Sequence, residues 1–422
     1  MIEAVIERCA GIDVGRKFVV VCVMVGKADS VPQHEIRKFL TLNQELEKLR
    51  VWLHEKQCTH VVMESTGSYW KPIFHVLDDG ELKVVLANSQ QVKNLRGHKT
   101  DRNDSRWLAH LLRHDMIRPS FIPRREVREL RDLTRRRKQL IGHAVDERNR
   151  VQRVLQEANV QLGTVLSDLF GTSGLDMLEA LVNQDASPEE IAQLARQQAR
   201  KKIPQIQTAL EGHHMTEHHR GLIRHSMRHL AFLEEEIAEL DQEIARKVEE
   251  DEELRSAVKL VVTIPGVQKT AAAAIVAETG TDMRQFPEAP QLASWIGVCP
   301  GNNESAGKRK SGRTTKGNPW ARRTLVECGW SATRKKDSAT QRLYTRLKPR
   351  IQHKRALVAV ARWIALQVHE TLSRGEPYRA DKASDLTPSK VVRLARHHTR
   401  RLRHLHKWLK TRVEKKAAEC AG

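Results

Sequence analysis

Two carboxylates sit where an apolar strand would normally forbid them, and they limit what this chain can fold into. Asp13 interrupts the run Gly11-Ile12-Asp13-Val14-Gly15, and Glu64 closes the run Val61-Val62-Met63. Such segments rarely tolerate a carboxylate unless a cation neutralises it. In an α/β sheet, strand ends that neighbour one another gather residues far apart in sequence. The two acids therefore call for a sheet that brings their strands side by side.

The flanking sequence supplies one. Residues 18–25 are apolar and β-branched between Gly15 and Gly26, which predicts a strand. The segment holding Asp13 precedes it as the partner in a hairpin. Residues 41–57 place Leu42, Leu46, Leu49 and Leu53 at helical spacing, and 60–63 and 83–87 read as further strands. Strands alternating with helices predict an α/β domain over 1–122 with a partly parallel sheet.

Beyond it the pattern turns helical. Residues 124–158 and 220–254 form two long candidates with 188–200 between them, and the second carries a near-heptad stripe with interleaved acids. The region 123–255 is expected to be a helical hairpin, an intermolecular coiled coil, or both. Residues 256–335 form a separate module. It opens on a helix, the turn Ile264-Pro265-Gly266-Val267 and an Ala-rich helix, similar to a helix-hairpin-helix but with Gln268 at the usual second glycine. Residues 336–422 are expected to be a basic helical extension, amphipathic over 356–372. Its far end, with Trp408 among many Lys and Arg, reads as a nucleic-acid contact.

Charge points the same way. The 73 Lys and Arg exceed the 52 Asp and Glu by 21, an excess that favours a polyanionic partner through counterion release. Cys9, Cys22, Cys58, Cys299, Cys328 and Cys420 form no CxxC pair and read as reduced thiols, not as a zinc knuckle. Neither a signal peptide nor a membrane span is evident. The chain is expected to be soluble and intracellular.

Asp101 and Asp104 lie three apart at the start of an apolar helical run, so both share one face. A role for either as an N-terminal cap alone stays open. Joined with Asp13 and Glu64, however, they make an all-oxygen set sufficient for two Mg²⁺ ions acting on a phosphodiester, with Mn²⁺ satisfying the same hard donors.

A second constellation lies in the Gly- and Pro-containing stretch 295–308, expected to be a loop that exposes Ser305. Lys308, Arg309, Lys310, Arg313, Lys316, Arg322 and Arg323 follow with no acid before Glu327. A serine hydroxyl becomes a nucleophile when a base, metal or nearby cation helps it lose its proton, and the cations suit a phosphate in transfer. Ser311 competes for the role on the same grounds.

Three segments carry a family resemblance: Gly11-Ile12-Asp13-Val14, the run from Met63 through Glu64-Ser65-Thr66-Gly67-Ser68-Tyr69-Trp70, and Lys99-Thr100-Asp101-Arg102-Asn103-Asp104-Ser105. They resemble the DEDD transposases (recombinases) of the insertion-sequence 110 family, and the stretch around Ser305 is similar to that family's C-terminal transposase domain. The resemblance covers roughly 8–335 and implies an RNase H-like, RuvC-like N-terminal domain. It also implies that Asp13, Glu64, Asp101 and Asp104 bind Mg²⁺ and that Ser305 attacks a DNA phosphate to form a covalent phosphoserine link. Further implications are assembly as a homodimer or homotetramer and guidance by a noncoding bridge RNA that pairs with donor and target DNA. Two alternatives stay open: a metal-only junction resolvase or nuclease with no covalent adduct, and a non-catalytic basic scaffold that binds nucleic acid.

Overall fold

The computed structural model describes residues 5–64, 67–87, 101–117, 119–183, 186–301, 303–305, 308–336, 338–379 and 399, with backbone alone at 101–103, 303–305 and 308–311. The chain divides into two compact units, 1–124 and 125–422.

Unit one is built on a five-stranded sheet of order β3-β2-β1-β4-β5. β1 (Arg8–Val14), β2 (Phe18–Val25) and β3 (Gln33–Leu40) form an antiparallel meander. β4 (His60–Glu64) and β5 (Lys83–Ala87) extend it in parallel from β1, so the sheet is mixed. Helices cover both faces, which is why β1, β2 and β4 are apolar at nearly every position instead of alternating. On one face α1 (Asn43–Glu55) and α2 (Trp70–Leu77) bury Leu46, Leu49, Ile73 and Leu77 against Ala10, Ile12, Val21 and Val61. On the other, α3 (Asp101–Arg113) buries Leu108, Ala109, Leu111 and Leu112 with Cys9, Met24, Val62 and Val85. β3 escapes sequence reading because Gln33-His34-Glu35-Ile36-Arg37-Lys38 is a polar edge with no apolar run.

Unit two begins with α4 (Arg125–Glu157). The short helices α5 (Leu162–Val165), α6 (Thr172–Asn183), α7 (Pro188–Gln193) and α8 (Ile203–Leu210) follow. The chain then returns along α9 (Glu217–Glu250). Antiparallel packing closes α4 on α9 within one chain: Leu140 and Ala144 meet Leu230 and Leu233 at mid-length. Val127 and Leu130 lie with Ile244 and Val248 at one end, and Val151 and Leu155 with Ile223 at the other. Ion pairs Arg137–Asp241, Arg148–Glu234 and Lys247–Glu129 cross the seam.

Asp251 caps the next helix, its carboxylate accepting from the Leu254 amide, and so separates α9 from α10 (Glu252–Val262). α11 (Lys269–Thr279), α12 (Ala289–Ile296), the hairpin of β6 (Asn303–Ser305) and β7 (Lys308–Ser311), α13 (Pro319–Thr333), α14 (Ala339–Ile351) and α15 (His353–Arg374) follow among the unit's described residues. Residues expected in the basic extension contribute to its core: α15 buries Val360, Ala361, Ile364 and Val368 with Val261, Ile275 and Leu325. The basic run beyond 385, with Trp408, lies outside the described residues. Among the described residues, no helix is long and apolar enough to cross a membrane.

Candidate active site

Strand periodicity fixes where the first two acids face. Alternate residues of a strand share a face, so Asp13 follows Cys9 and Gly11, and Glu64 follows Val62, onto the face that α3 covers. β1 and β4 are parallel with Ile12 paired to Met63. One residue further on, Asp13 and Glu64 occupy the carboxyl ends of adjacent strands, both half-buried.

α3 runs antiparallel to β1 directly above these ends. Its last residue, Arg113, is 1% exposed. The guanidinium donates to the carbonyls of Ile6, Glu7, Gly26 and Lys27 at 2.6–3.2 Å, which pins the helix to the start of β1. One turn back, the Ala109 carbonyl accepts from the Cys9 thiol at 3.5 Å. A further turn back, Ser105 lies over Gly11, where a Cβ would stand 2.3 Å from the Ser105 oxygen and 2.4 Å from the Ala109 nitrogen. One helical turn advances about 5.4–6 Å and two strand residues about 6.6 Å, so the two ladders stay in step. The next step brings the first turn of α3, with Asp101 and Asp104, to the level of Asp13. Asp104 is half-buried and one turn before Leu108; the Asp101 side chain lies outside the described residues.

The donor set is all oxygen, which suits a hard divalent cation. Among the described residues no three His, Cys, Asp or Glu side chains gather closely enough to hold an ion. Arg113 was invisible to sequence reading because a terminal helical Arg looks like surface charge; burial at that position is what reveals it.

The second constellation lies in unit two. Ser305, expected on a loop, ends the short strand β6 (Asn303–Ser305), which pairs antiparallel with β7 (Lys308–Ser311). The register sets Ser305 opposite Lys308. The hairpin has a firm base. Pro300 bridges Thr314, and the Gly301 amide donates to the Arg313 carbonyl at 2.8 Å. Gly297, at φ +82°, lies against Gly317 so closely that a Cβ on Gly317 would stand 2.4 Å from the Gly297 nitrogen. Asn318 then caps α13, its side-chain oxygen accepting from the Trp320 and Ala321 amides. Lys316 and Arg323 are exposed and Arg322 half-buried; the side chains of Lys308, Arg309 and Lys310 lie outside the described residues.

The same base holds a group that sequence reading passed over. Glu278, 2% exposed near the end of α11, accepts both donors of Arg135 at 2.6 and 2.8 Å. The Asn318 amide also donates to it at 2.6 Å. Arg131 donates to the Ala277 and Glu278 carbonyls, and burial brings its pKa down to about 10. Arg135 and Glu278 line a cleft of about 320 Å³ with Lys138, Thr270 and Trp320. The helix-hairpin-helix turn is a packing corner. The Thr263, Ile264 and Val267 amides bond carbonyls of their own turn, and Gly266, at φ +88°, faces Cys328 and Ala332 of α13.

Family models match segments in both units of the chain. Residues 10–160 match the model for the DEDD transposase of insertion sequence 110, and 258–345 match that for the transposase IS116/IS110/IS902 family. A protein of Pseudomonas aeruginosa strain PAO1 described as a probable family 20 transposase is 24% identical over 268 residues, covering 63% of this chain and 68% of that protein. An acid-bearing α/β unit followed by a basic, mostly helical unit thus defines a transposase, an enzyme that recombines DNA. The chain belongs to the insertion-sequence 110 family of transposases.

Proposed function

We propose that this transposase cuts and rejoins element and target DNA through a covalent phosphoserine intermediate. Residues 1–122 act as an RNase H-like, RuvC-like domain, and 256–335 supply the nucleophile. The reading rests above all on the common face of Asp13 and Glu64 beneath the first turn of α3, a placement that a merely structural acid would not need. Asp13, Glu64, Asp101 and Asp104 hold Mg²⁺, which when bound lowers the cost of charge gathering on the phosphate. Ser305 gives up its hydroxyl proton and its oxygen bonds to phosphorus; the ester bond to the departing strand breaks, and that strand's oxygen takes a proton. Rejoining reverses the exchange, so the phosphoester is conserved without an external energy source. Lys308, Arg309, Lys310, Arg313, Lys316, Arg322 and Arg323 bind the strands around that phosphate. A homodimer or homotetramer brings the two constellations together, and a noncoding bridge RNA selects the sites by base pairing.

Labelled element-end DNA, incubated with the protein and its co-purifying RNA in Mg²⁺, tests this. Wild type should leave protein-linked DNA on a denaturing gel, while Ser305→Ala and Asp13→Asn should leave none yet still bind DNA. Persistence of the adduct in Ser305→Ala would move the nucleophile elsewhere. Nicking without any adduct would favour a metal-only nuclease in which water attacks.

A further inference from the structure

The corner where α13, α14 and α15 meet carries a surface that the reaction above does not use. Between 331 and 369 the chain has ten Lys and Arg and a single acid, Asp337. A helix face that merely keeps a protein in water interleaves its charges, as α9 does with its run of Glu between Arg and Lys. α14 instead shows Arg342, Arg346, Lys348 and Arg350 to solvent with no acid at all. Among the described residues, no ion pair joins Arg334, Lys335, Arg346, Lys348 or Arg350 to a carboxylate.

Aromatic rings run through this surface in contact with one another and with the cations. Arg334 lies over Trp330, 5.5 Å from its ring centre. Trp330 meets His353 edge-on at 4.9 Å, and His353 meets Tyr344 at 5.8 Å. The Tyr344 hydroxyl is 2.5 Å from His353 Nδ1, which fixes both rings. Lys348 closes the series 5.9 Å from Tyr344. Trp330 is 43% exposed, although a tryptophan beside a core is ordinarily covered. The corner backbone is also costly: Gln352, between α14 and α15, holds φ +66° and ψ 160°, a region that glycine tolerates and other residues adopt at a cost.

An exposed indole flanked by exposed cations fits a strand whose bases are unpaired: the ring offers a stacking face and the cations follow the phosphates. A duplex keeps its base faces covered and would gain only the charge. Recombining DNA exposes such strands. We propose that the α13–α15 corner is a single-stranded DNA site in which one base stacks on Trp330 and the adjoining phosphates lie along Arg334, Arg346 and Lys348. The proposal uses family membership but not the serine chemistry.

Fluorescence anisotropy with an unspecific 20-nucleotide poly-dT tests it on the full chain, because this probe needs neither element ends nor catalysis. Trp330→Ala should weaken poly-dT binding about tenfold, within the range for one lost base stack, while Trp330→Phe should restore most of it. The double variant Arg346→Glu/Lys348→Glu should weaken binding and flatten its salt dependence. Binding of a blunt duplex of equal length should change less than twofold in Trp330→Ala. Photocrosslinking with iodouracil-substituted strand should recover the Trp330 peptide. Unchanged poly-dT affinity in both Trp330→Ala and the double variant would overturn the proposal. So would losses confined to the duplex or to a poly-U RNA probe.

Discussion

The contact of Gly11 with α3 yields the sharpest test of how the acids are assembled. In Gly11→Ala the added methyl would lie 2.3 Å from the Ser105 carbonyl oxygen and 2.4 Å from the Ala109 nitrogen. Ordinary contact begins near 3.4 Å, so the helix must rise by about 1 Å. Both obstructing atoms are backbone, so no rotamer change relieves the clash. Overpacking of this kind costs about 1–3 kcal/mol, and we expect a value near the upper end because Arg113 holds the far end of α3 to β1. The helix should tilt about that anchor and carry its first turn furthest away. A misplacement of about 1 Å at reacting groups costs about 100-fold in rate. Hydrogen exchange should show α3 amides losing protection first, and Mg²⁺-dependent strand cleavage should fall about 100-fold with DNA binding retained. Gly142→Ala is the control: nothing lies within 4 Å of a Cβ there, and a helix-interior alanine should add about 0.5–1 kcal/mol. Refutation would be a Gly11→Ala protein with wild-type α3 protection and cleavage within twofold of wild type.

Two more outcomes follow from buried or tethered carboxylates. Glu278→Gln leaves Arg131 and Arg135 half-compensated in a buried site, so unfolding in urea should become about 3 kcal/mol easier; a change under 0.5 kcal/mol would show that the network carries no stability. Burial alone would raise the Asp79 carboxyl, but hydrogen bonds from His54 and from the Glu81 and Leu82 amides outweigh it and hold the pKa at about 2, below its ordinary 3.8. A depressed acid stabilises the fold above its unfolded pKa and loses that contribution as pH falls towards 2. Asp79→Asn should therefore cost about 2 kcal/mol at neutral pH and almost nothing near pH 2; denaturation curves whose separation is the same at both ends would exclude this role.

Legibility in the sequence followed the strength of local patterns. β2 and β5 have the bounds that their apolar runs predict, and both long helices were visible from sparse apolar spacing. β3 and the Ser305 hairpin were missed as strands because their residues are polar and their order comes from pairing, not from local preference. The two acids in strands were conspicuous because they violate burial. The approach of α3 to Gly11 was not, since a glycine in a strand announces neither its neighbour nor the distance. Arg113 and Glu278 share that obscurity: a charged residue at a helix end reads as solvated until its carbonyl or guanidinium partners, scores of residues away, are known.

The paired long helices constrain how such chains can diverge. Each arm exceeds 30 residues and is seated at both ends in different apolar clusters. Removing residues from one arm alone would shift the crossing ion pairs on one side of the cut out of alignment and pull one seat apart. Excising seven residues opposite one another in both arms would shorten the strut by about 10 Å and leave both seats intact. Insertions and deletions across this part of the family should therefore come in compensating twins, one on the way out and one on the way back.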